Sequence, residues 1–399
     1  MRGRFGAFYR HKYLLAAVLV ILVLYHSLPA AKSTLNPRTE QSENRPRYLH
    51  QSPFRADPDH EYETALSNAL RAIEVDRNVD PDATDTIWQI ILSSKDQRKD
   101  DSYELEKRNP EWKYQLINAD WAETFITKTL ASVPDLARLY KLYPHYVQRG
   151  DLLRYLVLWY YGGYYADVDV YPAKSIRSCP TLSNVFANPP AASNVSLVVG
   201  VEIDEPFASP QKMREWHWAR RYGFLQYNIY APRRFSPLLR EVIVRVMSHT
   251  KRHTEGNFWA RYDEMTTLEI TGPGVFTDAI LDVLSDTLPP EHPLVEKSVE
   301  TDAHFGDLVP PYSALPVQRV TWAPFHGITE TVCAEDSASQ PGKMGGICVL
   351  PVNSWGNGQR HSGAEGFSSQ HSCINHRFGG DLEALETELE EIFVWLERS

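Results

Sequence analysis

At 399 residues the chain is long enough for one large domain or two smaller ones, each with a sizeable core. Its 43% hydrophobic and 23% charged residues are the ordinary balance of a globular protein. The formal net charge of −10 leaves no basic footprint for displacing counterions from a phosphate backbone, so a nucleic-acid partner is not expected.

Residues 1–12 carry Arg2, Arg4, Arg10 and Lys12, and residues 13–28, YLLAAVLVILVLYHSL, are free of charge. At ~1.5 Å per residue this stretch spans roughly 24 Å as a helix, slightly short for an average bilayer, a shortfall that the thinner early-secretory membranes tolerate. Basic residues ahead of it and few just behind place the N-terminus in the cytosol. The expectation is a single-pass type II protein with a cytosolic tail (1–12), a transmembrane signal-anchor (13–28), a stem (29–83) and a lumenal domain (84–399). A cleaved signal peptide, with LPAAKS at 28–33 as its cleavage region, is the competing reading. The early stem carries Pro29, Pro37, Pro46, Pro53 and Pro58 among Ser, Asn and charged residues, and that composition cannot bury enough apolar surface to fold alone.

A helix over 61–75, EYETALSNALRAIEV, leads into the domain. DTIWQIIL at 85–92 is a near-continuous apolar run suited to a strand buried on both faces. EWKYQLINA at 111–119 is a second strand, and the stretches 121–130 and 133–143 are helical. RGDLLRYLVLWYYGG at 149–163 predicts a helix with Asp151 in its first turn, near the positive end of the helix. Leu152, Leu153, Leu156, Val157 and Tyr160 form its apolar face, and Gly162 and Gly163 close it. YYADVDV at 164–170 and SLVVGVEI at 196–203 are strands. The stretches 236–249 and 274–288 are helices, and ICVLPVNSW at 347–355 is a late strand. The acidic tail has Leu382, Leu385, Leu389, Phe393 and Leu396 at helical spacing, the pattern of a docked helix. Strands alternating with helices predict an α/β domain with a mostly parallel sheet flanked by helices.

The cysteines stand at 179, 333, 348 and 373, with no CxxC pair to suggest a zinc knuckle or a redox motif. An oxidising lumen favours disulfides. Cys333 and Cys348 bracket a short Gly-rich segment and are the preferred pair among three full connectivities. Asn194, followed by Val195 and Ser196, is an N-glycosylation sequon suited to a lumenal surface loop.

The chemistry concentrates in YYGGYYADVDVYP, 160–172. On a strand, Asp167 and Asp169 point to one side and Val168 to the other. Two carboxylates so close repel each other unless a cation sits between them. Hard oxygen ligands favour Mn²⁺ or Mg²⁺. Calcium of the EF-hand kind is excluded locally, because Tyr171 and Pro172 occupy the positions that need an oxygen ligand and a glycine. Asp151 and Arg154, three apart on the helix feeding this strand, share a face. Each of these has a plainer explanation: a solvated strand end for the acids, and a helix-end charge with its salt bridge for the Asp151 and Arg154 pair. Likewise TGPGVF at 271–276 is either an anion-binding helix N-terminus or a Pro-Gly turn starting a helix. VNSWGNGQRHSG at 352–363 is polar and Gly-rich, as a lid loop would be. Nothing in their spacing decides whether Glu202 and Asp204 face an acceptor.

RGDLLRYLVLWYYGGYYADVDVYP resembles the Asp-x-x-Arg … Gly-Gly-x-Tyr-x-Asp-x-Asp block of glycosyltransferase family 32, in particular its fungal initiation-specific α-1,6-mannosyltransferases of the Golgi. IWQI (87–90), NPEWKYQLI (109–117), VGVEID (199–204), EWHWARRYGFLQYNIYAPRRFSPLL (215–239) and ITGPGVFTDAI (270–280) extend the resemblance from Thr84 to about His376. It implies a GT-A type (Rossmann-like) fold for a single catalytic domain behind the anchor. It further implies a GDP-mannose donor with Mn²⁺ (or Mg²⁺), a glycan acceptor on a glycoprotein, and retention of configuration. Asp169 would be the principal metal ligand, and Asp167 would hold the ribose or sugar and help with the metal. Asp151 and Arg154 would contact donor hydroxyls and diphosphate, and Tyr165 would line the donor site. Trp88 lies near the expected base pocket, although a buried strand aromatic explains it equally. His376 keeps the His of a C-terminal family motif whose Trp is missing here, which leaves the capping of the leaving phosphate open. Mannosylation of an inositolphosphoceramide glycolipid, and a non-catalytic place in a mannosyltransferase complex, are the alternatives within this resemblance. A metal-dependent phosphohydrolase is the alternative outside it, and would want extra His and Asp ligands near 167–169.

Overall fold

The computed structural model describes residues 52–55, 57–75, 85–187, 194–255, 261–305, 320–335 and 344–377. The anchor stretch 13–28, most of the stem and the tail 382–396 lie outside the described residues. Among the described residues no helix is long and apolar enough to cross a membrane.

The strands are β1 (Thr86–Ile90), β2 (Lys113–Ile117), β3 (Gly163–Ala166), β4 (Val170–Pro172), β5 (Leu197–Asp204), β6 (Tyr222–Phe224), β7 (Asn228–Ala231), β8 (Val332–Ala334), β9 (Ile347–Leu350) and β10 (Ile374–His376). The main sheet has the order β2-β1-β3-β7-β5-β9-β8, with β6 added beside β5. β1 pairs in parallel with both β2 and β3, and β5 with β9. β7 lies antiparallel between β3 and β5, and β8 is antiparallel to β9. Hence β2, β1, β3, β5 and β9 all run one way, and the predicted mostly parallel sheet holds. β4 and β10 leave it to form a separate antiparallel ribbon.

Alternation along the strands explains why their central positions are apolar on both faces. Leu197, Val199 and Val201 of β5 face one core, together with Tyr165 and Val349. Val198 faces the other, together with Tyr164, Ala166 and Leu350. A sheet covered on both faces removes both sets of side chains from water. The principal helices are α1 (His60–Glu74), α2 (Asp100–Arg108), α3 (Tyr146–Tyr161), α4 (Pro237–Thr254) and α5 (Pro273–Thr287). α3 is buried on nearly every side, as a helix apolar all round must be. It stops because Gly162 and Gly163 adopt φ of 67° and 94°, values that only glycine takes cheaply. α1 falls in the stretch read as stem, yet Leu66 and Leu70 are buried and Glu74 binds Arg240 at 2.6 Å.

Three local expectations change. The acids of 167–169 are not on a strand: β3 ends at Ala166, and a turn intervenes before β4. α3 starts at Tyr146, so Asp151 sits in its second turn and is compensated by side chains rather than by the helix end. Residues 352–363 begin as a short helix, Val352–Trp355, with Trp355 fully buried, so this part is no lid.

Candidate active site

The acid turn is a consequence of β3 changing sheets. The Asp167 amide still bonds to the Tyr227 carbonyl at 2.9 Å, extending the ladder with β7 by one residue. The Val170 amide then bonds back to the Asp167 carbonyl at 3.2 Å, and the chain departs to pair with β10. Gln89, wholly buried on β1, donates to the same Asp167 carbonyl at 2.9 Å. The turn thus sits at the carboxyl end of β3, between a parallel neighbour and an antiparallel one, the kind of edge where open α/β sheets bind ligands.

Behind it lies a buried charge network. Arg154 is 5% exposed and Asp151 1%. Arg154 donates through Nη2 to Asp151 Oδ1 at 2.6 Å and through Nη1 to the Gln226 carbonyl at 3.0 Å, and Nη1 also lies 3.8 Å from Asp167 Oδ1. Thr271 donates its hydroxyl to Asp151 Oδ2 at 2.7 Å. Burial works against the Arg154 charge, but Tyr165, Asp167 and Asp151 outweigh it and hold the pKa well above the ordinary value. Arg154 is therefore a fixed cation at the turn. The Tyr165 hydroxyl donates to Asp167 Oδ1 at 2.5 Å, and its ring lies beneath the guanidinium.

β10 supplies the third element. His376 pairs in register with Val170, its Nε2 lies 3.1 Å from Asp169 Oδ1, and its ring stacks on Tyr227 at 4.4 Å. Burial raises the Asp169 pKa, but His376, together with a backbone hydrogen bond and Lys99, lowers it overall. Asp167, Asp169 and His376 each offer one ligand atom, all within 4.8 Å of one another. Two carboxylate oxygens and an imidazole nitrogen fit a divalent cation that accepts mixed donors, so Mn²⁺ suits them better than the oxygen-seeking Mg²⁺. β10 is held by the disulfide Cys179–Cys373, and the predicted Cys333–Cys348 pair joins β8 to β9.

Of the residues singled out from the sequence, Asp151, Arg154, Tyr165, Asp167, Asp169 and His376 come together here. Trp88 lies further back. Its indole N–H donates to the Gly162 carbonyl at 2.9 Å, and its ring is buried against Tyr161 and Trp121. Asn194 is exposed just before β5, while the Ser196 hydroxyl of its sequon is buried against Ser236 at 2.9 Å. TGPGVF starts α5 in close contact with the preceding helix: a Cβ on Gly272 would lie 2.7 Å from Leu268 Cα. The sequence reading left Glu202 undecided. Its carboxyl faces the turn and is pushed up to about 7 by burial, with His376 opposing and Asp167 adding to the shift. Tyr227, Gln89 and the Cys179–Cys373 link were not foreseen, and no local spacing marks them.

Residues 96–187 match the family described as "Glycosyltransferase sugar-binding region containing DXD motif". Asp167-Val168-Asp169 lies within the matched stretch and has the Asp-x-Asp spacing that the family's description names. Over 279 residues the chain is 26% identical to the "Initiation-specific alpha-1,6-mannosyltransferase" of Candida albicans, covering 69% of this chain and 64% of that protein. The protein of the same name from Schizosaccharomyces pombe is 24% identical over 276 residues, covering 68% of this chain and 56% of the relative. The chain therefore spans about three fifths of the length of these relatives. A solved structure, "PaToxG Glycosyltransferase", aligns with 63% of this chain and 87% of its own at 19% identity and a TM-score of 0.33.

Proposed function

We propose that this protein is a retaining Golgi mannosyltransferase that moves mannose from GDP-mannose to an N-linked glycan core through an α-1,6 bond. The observation that carries the reading is the convergence of His376 on Asp167 and Asp169, two acids that lie inside the stretch matching a glycosyltransferase sugar-binding region. The names of the two fungal relatives motivate the choice of sugar and linkage. Residues 13–28 would anchor the protein in the Golgi membrane with its catalytic domain lumenal, where Asn194 is a candidate for glycosylation and other mannosyltransferases are candidate partners.

Asp169, Asp167 and His376 would hold Mn²⁺ (or Mg²⁺), which would supply positive charge against the donor diphosphate. The chain's own residues do the rest. Arg154, kept charged by its carboxylates, adds a second fixed cation beside the developing phosphate charge. Asp151 and Thr271 orient Arg154, and Tyr165 orients Asp167. The acceptor hydroxyl attacks the anomeric carbon from the face the diphosphate leaves. The C–O bond to phosphate breaks as the new glycosidic bond forms, and the hydroxyl proton passes to the departing phosphate oxygen.

The test is a donor screen of purified protein with Mn²⁺, with chelator as control, followed by linkage analysis of the product. Turnover of GDP-mannose with an α-1,6 product supports the proposal. Turnover of UDP-sugars with GDP-mannose inert would overturn it.

A further inference from the structure

β5 continues beyond the acid turn. Glu202 and Asp204 lie on the same face of the strand, and Asp204 is about 7 Å further along it. Two aromatic groups are pinned to this strand end. On one side the Asp204 carboxylate lies 2.7 Å from His326 Nδ1 and accepts from the Gly327 amide, also at 2.7 Å. The His326 ring packs with Trp322 and Phe207 at 5.4 and 6.0 Å. On the other side Ser362 donates its amide to Glu205 at 2.9 Å and accepts from the Asp204 amide at 2.8 Å. This holds His361 edge-on against Trp218 and Trp216, at 4.7 and 5.0 Å.

Trp216 and Trp218 themselves stack at 5.7 Å. Between them His217 takes a φ of 54°, an unfavourable value for a side-chain-bearing residue. Beneath, Arg220 is buried between Glu269 and Asp278, at 2.6 and 2.7 Å. Despite this rigid support, Phe207 is 62% and Trp216 39% exposed. Large rings fixed in place and turned to water beside a ligand edge are the pattern of an interaction site. Their surroundings select the ligand. The charges there are already paired, Glu205 with Lys212 at 2.8 Å and Asp204 with His326 at 2.7 Å, and burial holds His361 neutral, its pKa pushed down to about 4, so none of these groups offers a free cation to an anion. A polyhydroxyl ligand fits, with its C–H face on the rings and its hydroxyls donating to the carboxylates.

We propose that Trp216 and Phe207 form an acceptor platform for the uncharged hexose residues lying beyond the one that is attacked. This rests on the glycosyltransferase reading and names the part of the acceptor that the site would grip. The test uses the full protein and compares a mannose oligosaccharide with methyl mannoside as acceptors. Trp216→Ala and Phe207→Ala should each raise KM for the oligosaccharide roughly tenfold, the loss of one ring's worth of apolar contact. Donor hydrolysis and transfer to methyl mannoside should stay at wild-type levels, and Trp216→Phe should recover most of the loss. An unchanged oligosaccharide KM in both alanine variants would overturn the platform. Should the wild type turn over no donor, the glycosyltransferase reading fails, yet titration calorimetry with the oligosaccharide still decides the platform. Binding weakened in both alanine variants supports it, and wild-type affinity in both refutes it.

Discussion

Removing the Cys179–Cys373 link tests whether the metal centre depends on a distant covalent tie. The two cysteines are 194 residues apart, and the second adjoins the strand that carries His376. By the chain-entropy relation, closing a segment of that size stabilises the fold by about 5 kcal/mol at 25 °C, against about 3 kcal/mol for the 15-residue Cys333–Cys348 separation. The Cys179→Ala/Cys373→Ala variant should therefore lose more stability in urea titrations than Cys333→Ala/Cys348→Ala. It should also lose Mn²⁺ affinity, because β10 then keeps only non-covalent ties, among them its short ladder to β4, the Asn375–Asn357 bridge and the Arg377–Asp101 pair. A drop of about tenfold, near 1.4 kcal/mol, is expected by calorimetry, with the second variant binding Mn²⁺ as the wild type does. Unchanged Mn²⁺ affinity in the first variant, or equal loss in both, would refute the argument that this disulfide places His376.

Asp169→Asn should weaken Mn²⁺ binding by more than the roughly 10–100-fold that loss of an outer-shell partner costs, and abolish Mn²⁺-dependent donor turnover; calorimetry and a hydrolysis assay check both. Asp151→Asn strips a carboxylate from the buried Arg154 and should cost about 3–5 kcal/mol, read from the urea midpoint, whether or not Mn²⁺ is present. His249 is buried with Nδ1 2.9 Å from the Glu269 carbonyl, and burial pushes its pKa down from 6.5 to about 3. The unfolded chain thus takes up this proton more readily, so its contribution is intact above about pH 6.5 and is lost progressively as pH falls toward 3. At pH 4.5 the loss should be about 2–3 kcal/mol, and His249→Gln should flatten that part of the stability–pH curve.

The strand and helix alternation was legible because the sheet is buried on both faces, which makes β1, β3, β5 and β9 mostly apolar on both sides, polar residues such as Gln89, Glu202 and Asp204 falling toward the carboxyl ends. The Gly162–Gly163 stop was legible because glycine alone takes those dihedrals cheaply. The Asp-x-x-Arg and Asp-x-Asp spacings identified the acids and the arginine. They did not identify what holds them. Asp167 and Asp169 converge through a turn, not a pleat, since the turn forms only where β3 exchanges one sheet for another. Asp151 needs Thr271, 120 residues away, to complete its bonding.

What the sequence determined alone is local: which stretches form strands and helices, which short spacings bring like charges together, and which disulfide closes the smallest loop. Tertiary structure decided the rest. It brought His376 of β10 to Asp169, opposed Glu202 to the acid turn, and set Trp216 and Phe207 on either side of the end of β5. These contacts join residues far apart in the chain. Their proximity is fixed by strand order and by the Cys179–Cys373 link, neither of which leaves a periodicity or a spacing to be read.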